Sequence, residues 1–172
     1  ITASMGLGRA VRSLLLESPD LTEDPLIGGL HVKISGCPNG CGQHHLADIG
    51  FHGATVKGQA GLQVPAYDIF VGGRYEGGDV RYGTRLRGKV PAKAVPQVLR
   101  AFLIFYRDHR QPGEPFHAFV DRRGRESFER IAAPFGEVLP FDPQSSLSRD
   151  FYEDWERTGL YRLERGEGEC SA

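Results

Sequence analysis

Cysteine is scarce in this sequence: Cys37, Cys41 and Cys170 are the three among 172 residues. So small and odd a number excludes a disulfide framework and leaves the thiols for metal or redox chemistry in a reducing compartment such as the cytoplasm. No apolar run approaches the ~20 residues that a membrane helix requires, so no membrane partner is predicted. An excess of charge is also missing, with 21 Lys and Arg against 22 Asp and Glu. Without it there is no general electrostatic basis for a nucleic-acid or membrane-surface partner. The N-terminal stretch, ITASMGLGRAV, has no charged segment followed by an apolar core and is not expected to be a signal peptide. It lacks an initiator Met as well, and the chain is expected to begin inside a longer protein. GLGRAV at 6–11 lacks the third glycine and the preceding strand of a dinucleotide fingerprint, which excludes that reading.

Glycine is abundant: 23 residues of 172, against a usual share of about 7%. Many fall between residues 28 and 88, where glycine-dense loops let backbone approach a large ligand closely. Residues 7–17 place Leu7, Val11, Leu14 and Leu15 on one helical face. Pro19 and the polar run around it read as a loop. In GLHVKIS, 29–35, Leu30, Val32 and Ile34 alternate with His31, Lys33 and Ser35, the pattern of a strand with one buried face. HLADIGFHG at 45–53 and YDIFVGG at 67–73 read as two further strands, and DVRYGTRL as a looser one. The strongest helix signal covers 96–109, with Leu99, Phe102, Leu103 and Tyr106 at core spacing and Pro96 in the first turn. Two short helices follow, separated at Gly124. From residue 137 the pattern weakens into an acidic stretch with nine acidic and four basic residues in 137–169, expected to hug the surface around one short helix. Strands and helices joined by short connections predict an α+β fold, an α/β sandwich of a mixed sheet packed with helices. The expected division is a principal domain over 1–136 and an acidic C-terminal tail over 137–172.

The chemistry concentrates in ISGCPNGCGQHH, residues 34–45. Cys37 and Cys41 stand at the exit of a strand in a Pro- and Gly-containing turn whose backbone amides are free to point at a thiolate or sulfide. Two small buried cysteines are the simple reading; a close pair in such a turn favours metal. Zinc takes four N or S ligands, and Cys37, Cys41 and a histidine would supply part of them in a non-catalytic, zinc-stabilised module. Adjacent histidines on a strand point to opposite faces, so His44 and His45 cannot both ligate easily. An iron–sulfur cluster takes four thiolates, of which this segment holds two.

SGCPNGCGQHHLADIGFHG resembles the cluster-binding segment of the sirohaem-dependent nitrite and sulfite reductases. That family carries a Cys-x5-Cys pair and, some way downstream, Cys-Pro-Asn-x-Cys. The likeness continues through LADIGFHG, the Gly-Gly at Gly72 and Gly73, and GTRLRGKVP at 83–91. The resemblance implies a [4Fe–4S] cluster and sirohaem as cofactors, with Cys37 a ligand of the cluster and Cys41 a ligand shared with the sirohaem iron. It implies that the other two thiolates lie just upstream of Ile1. Pro38 and Asn39 would shape the turn, and Asn39 and Gly40 would bring backbone close to cluster and macrocycle. Sirohaem is rich in carboxylates, and 74–89 offers Arg74, Arg81, Arg85, Arg87 and Lys89 against Glu76 and Asp79. Arg85 and Lys89, beside Gly72 and Gly73, are the individual candidates. The reaction implied is the six-electron reduction of nitrite to ammonia or sulfite to sulfide, in the cytoplasm, with ferredoxin or a flavoprotein as electron donor. The acidic tail would repel an acidic ferredoxin. By itself the chain, with half the cluster ligands, is expected to be inactive.

Overall fold

The computed structural model describes residues 2–163. Five strands form a mixed sheet: β1 (Val32–Ser35), β2 (Ile49–Lys57), β3 (Gln63–Val71), β6 (Thr84–Arg85) and β7 (Val90–Pro91). A separate hairpin joins β4 (Arg74–Glu76) to β5 (Asp79–Arg81). β1 lies parallel to β2, Val32 opposite Ile49 and Ser35 opposite His52. β2 and β3 are antiparallel from Ile49 opposite Val71 to Lys57 opposite Gln63, and β6 and β7 each pair with β3. The mixed sheet with helices is the α+β architecture expected.

Side chains alternate along a strand, so the two faces of the sheet differ in kind. Ile49, Phe51, Tyr67, Ile69 and Val71 point one way and are buried in the principal core. Helices α1 (Ser4–Leu16), α4 (Val95–His109), α5 (Phe116–Arg123) and α6 (Arg125–Ala132) supply most of the rest, through Leu7, Val11, Phe102, Phe119 and Phe128 among others. The rings of Phe102 and Phe128 meet edge to face at 5.2 Å. α4 follows its periodicity closely: Leu99, Phe102, Leu103 and Tyr106 are all buried. Gly124, at φ +76°, separates α5 from α6, and its N–H donates to the Val120 carbonyl at 2.9 Å. The opposite face carries Gly50, His52, Asp68 and Phe70 toward one end, and toward the other Val56 and Val64, which pack with Phe151 and Tyr152 in a second, smaller cluster.

Several local expectations are corrected. The run expected as a loop around Pro19 holds two helical turns, α2 (Pro19–Thr22) and α3 (Pro25–Gly28). Proline at the first helical position suits both, and the Asp24 carboxylate accepts from the Leu26 N–H at 3.0 Å. The strand expected over 45–53 begins only at Ile49, because His44–Leu46 curl into a 3-10 turn. DVRYGTRL is two strands, interrupted where the Gly83 N–H donates to the His45 carbonyl at 2.8 Å. The acidic stretch does more than hug the surface. After α7 (Ser146–Phe151), Tyr152 is fully buried and packs with Phe151 and Val64. Asp154 accepts from the Ala3 N–H at 2.7 Å, and Trp155 Nε1 donates to the Ala92 carbonyl at 2.9 Å. Apolar and bonded residues thus stitch a segment of acidic composition into the fold. Among the described residues no helix is long and apolar enough to cross a membrane.

Candidate functional site

Parallel neighbouring strands need a crossover of a dozen or more residues. Between β1 and β2 the crossover is residues 36–48, and it contains the whole CPNGC turn and both histidines. The turn therefore leaves the carboxyl end of β1, where open sheets commonly present ligand-binding loops. The loop then folds back so that His44 lies on Gly50, on the face opposite the principal core. Two glycines of β2, one on each face of the sheet, let the crossover approach closely. A Cβ on Gly50 would land on the His44 carbonyl, and one on Gly53 would land on the Gly36 carbonyl. Gly40 takes φ +78°, a conformation glycine adopts without a side-chain clash.

Cys37 and Cys41 are both unpaired thiols, Cys37 half-buried and Cys41 exposed. Asn39 is exposed and Gly40 half-buried between them. Beside Cys37 and Pro38 a hollow of about 450 Å³ is lined also by His52, Asp68 and Lys89. The fold thus brings Lys89 to the cysteine turn across more than fifty positions of sequence. Lys89 Nζ donates to the Thr55 carbonyl at 3.2 Å. Arg85 reaches the same neighbourhood through Asp68: its Nε and Nη2 donate to Asp68 Oδ1 at 3.1 and 2.7 Å. The Asp68 side chain is buried, while that of Arg85 stays 56% exposed. Gly72 and Gly73 are not among the lining residues of the hollow. The Gly72 N–H donates to the Asp48 carbonyl at 2.8 Å, and a Cβ on Gly73 would sit 2.5 Å from the Ala47 carbonyl oxygen. Both glycines seat the end of β3 against the end of the crossover.

The histidines have roles of their own. His44 is buried, and its Nδ1 lies 2.9 Å from Ser35 Oγ. Its ring meets those of His52 and Phe70, each at 4.9 Å. Burial, and then the neighbouring His52 and His45, hold its pKa down to about 4, against a weaker opposing pull from Asp68. His44 is therefore neutral at neutral pH. His45 stacks on Tyr82 with ring centroids 5.4 Å apart. Among the described residues no group of three or more His, Cys, Asp or Glu is placed to hold a metal ion, and the zinc-module reading finds no support. What the turn offers is two thiols, which suits part of the donor set of an iron–sulfur cluster. The remaining thiolates would come from outside the described residues, and Cys170 lies outside them too.

Ser35, His52 and Asp68 were not singled out by sequence reasoning. For Asp68 a signal exists: a carboxylate inside the otherwise apolar run YDIFV needs a buried cation or donor. Ser35 and His52 carry none, because their importance arises from the crossover lying over them.

The comparisons agree on one kinship. The family model described as "Nitrite and sulphite reductase 4Fe-4S domain" matches residues 23–137. A protein named as the hemoprotein beta-component of NADPH sulfite reductase, from Chromohalobacter salexigens, is 31% identical over 110 residues, 64% of this chain and 17% of that protein. A chloroplastic ferredoxin–nitrite reductase of Zea mays is 44% identical over 70 residues, 41% of this chain and 12% of that protein. Among solved structures, the Mycobacterium tuberculosis NirA protein matches with a TM-score of 0.52 and 29% identity, over 68% of this chain and 22% of that chain. The chain thus spans between 12% and 22% of the length of these relatives. With its family match running through the sheet, the cysteine crossover and helices α4 to α6, the chain belongs to the nitrite and sulphite reductase 4Fe-4S domain family.

Proposed function

We propose that this chain forms part of the cofactor-bearing domain of a reductase acting on nitrite or sulfite. The observation that carries the reading is the CPNGC turn. Two unpaired thiols stand at the carboxyl end of a parallel strand, in a chain of the 4Fe-4S domain family. Cys37 and Cys41 would supply two thiolates to a [4Fe–4S] cluster, with Cys41 shared with a sirohaem iron. Those groups, when bound, supply electrons one at a time to the substrate in a six-electron reduction. The protein's part is to hold and orient. The half-buried Cys37 borders the hollow, Gly40 turns the loop between the thiols, and Asn39 and Gly40 present backbone to the cofactors. Lys89 and Arg85 offer positive charge to carboxylates on the same side, Arg85 being steadied by the buried Asp68. Gly72 and Gly73 act one step removed, by seating β3 against the crossover.

The unit that binds the cofactors would be 1–136, with the residues from 137 appended to it; the family match ending at residue 137 supports this division. The electron donor would be ferredoxin or a flavoprotein, since relatives carry names of both ferredoxin- and NADPH-dependent enzymes. Unpaired thiols favour a reducing compartment such as the cytoplasm. By itself the chain would be inactive, because two thiolates do not complete the cluster's ligand set.

The test is iron and acid-labile sulfide analysis with electron paramagnetic resonance on the complete enzyme, in wild type and in Cys37→Ser and Cys41→Ser. Both substitutions should abolish the cluster signal, and Cys41→Ser should also remove the coupling to the haem spectrum. A full cluster content in both variants would refute the assignment.

A further inference from the structure

Ser35 is the last residue of β1 and is buried, with 5% exposure. Among the described residues its hydroxyl has two partners, and both lie in the crossover. The Gly42 N–H donates to Ser35 Oγ at 3.2 Å. His44 Nδ1 stands 2.9 Å from the same oxygen. Ser35 Oγ thus bridges the Gly42 N–H and His44 Nδ1, and the tautomer of His44 sets which of Oγ and Nδ1 donates in the second bond. Gly42 directly follows Cys41. A Cβ there would lie 2.5 Å from the Ile34 carbonyl oxygen, so the chain at this point rests on the end of β1. His44 is in turn wedged among His45, His52 and Phe70.

We propose that Ser35 and His44 form a latch that positions Cys41: the relay from Gly42 N–H to Ser35 Oγ to His44 Nδ1 fixes the second cysteine of the turn against the sheet before any cofactor binds. The inference rests on the reading of Cys41 as a ligand. The latch acts on one cysteine and not the other. Cys37 has its own support, because Gly36 packs on Gly53 and its carbonyl accepts from the Thr2 N–H at 2.9 Å. Ser35 and His44 are positioning residues: neither supplies a thiolate, and both act through the backbone beside Cys41. Holding a ligand in place beforehand lowers the ordering cost of binding and narrows the geometry of the metal bond.

Hydrogen exchange of the Gly42 amide in this chain tests the latch without any cofactor. Ser35→Ala should speed exchange at Gly42 by up to about tenfold, the scale of one net hydrogen bond. Ser35→Thr, which keeps the hydroxyl, should restore protection, and His44→Phe should give a partial loss. In the complete enzyme, Ser35→Ala should shift the midpoint potential and the paramagnetic resonance line shape of the cluster, and Ser35→Thr should not. Unchanged Gly42 exchange in Ser35→Ala overturns the latch while leaving Cys41 as ligand untouched. Faster exchange with an unaltered potential and line shape overturns its action on the metal site. A Cys41→Ser enzyme that keeps a normal cluster overturns the ligand reading and the purpose of the latch with it.

Discussion

Acidification should weaken this fold through His44 in particular. The imidazole has a free value of 6.5 and is held down to about 4 by burial, by His52 and by His45. Between those two values the unfolded chain takes up a proton that the folded chain refuses, so stability is complete above 6.5 and is lost as pH falls toward 4. At ~1.4 kcal/mol for each pH unit of that interval, the ceiling is about 3 kcal/mol. That is a large part of the 5–15 kcal/mol typical of a domain. The perturbation is His44→Gln, which keeps an acceptor for the Ser35 hydroxyl and does not titrate. Urea unfolding across this pH range should show wild type losing up to about 3 kcal/mol more than the variant. His31, His109 and His117 are common to both proteins, and the coupling of His52 and His45 to His44 is part of the difference read. Parallel pH dependences in the two proteins would refute the assignment of a buried, neutral His44.

Further outcomes are expected elsewhere. Gly50→Ala drives a methyl group into the His44 carbonyl, in a strand with no room to yield, and should cost about 1–3 kcal/mol or more in urea unfolding; wild-type stability would mean that the crossover does not lie on β2. Phe128→Ala removes a fully buried ring packed on Phe102, Phe105, Phe116 and Phe119, for an expected loss of about 3–5 kcal/mol by the same measurement. Glu114 accepts from Arg122 Nε at 2.6 Å and Nη2 at 2.7 Å, and this pairing with Arg122 holds its pKa down to about 2. Its contribution should be complete above 4.5 and vanish as pH falls toward 2, a loss that Glu114→Gln should not show in acid-unfolding curves. Mild alkylation of the folded chain should modify Cys41 faster than Cys37, since Cys41 is exposed and Cys37 half-buried; the reverse order by mass spectrometry would contradict the turn geometry.

The legibility of the fold followed the type of signal. Helix α4 could be read directly because its periodicity records the face it buries. The break at Gly124 was legible for a similar reason, since glycine tolerates the positive φ of that cap. The two turns of α2 and α3 were missed because four residues carry too little periodicity to separate from a loop. Residues 45 and 46 of the 3-10 turn look like strand in the sequence because they run straight into the alternation of β2. The anchoring of the acidic stretch is not legible because composition averaged over a segment hides the few residues, Phe151, Tyr152 and Tyr161, that are buried.

The sequence by itself determined the class of chemistry. Two cysteines around Pro-Asn-Gly, after a strand and in a chain of few thiols, point to a thiolate metal site wherever the loop lies. It determined the α+β class as well, because periodicities of two and of 3.6 residues are local properties. The tertiary structure alone decided what surrounds the thiols. The parallel pairing of β1 with β2 turns residues 36–48 into a crossover whose His44 end lies on Gly50. Only that packing sets Ser35 against Gly42 and His44, brings Lys89 to Cys37, and buries Asp68 beneath Arg85. These neighbours meet through strand register and close backbone approach, which depend on how distant segments pair and leave no period in the linear chain.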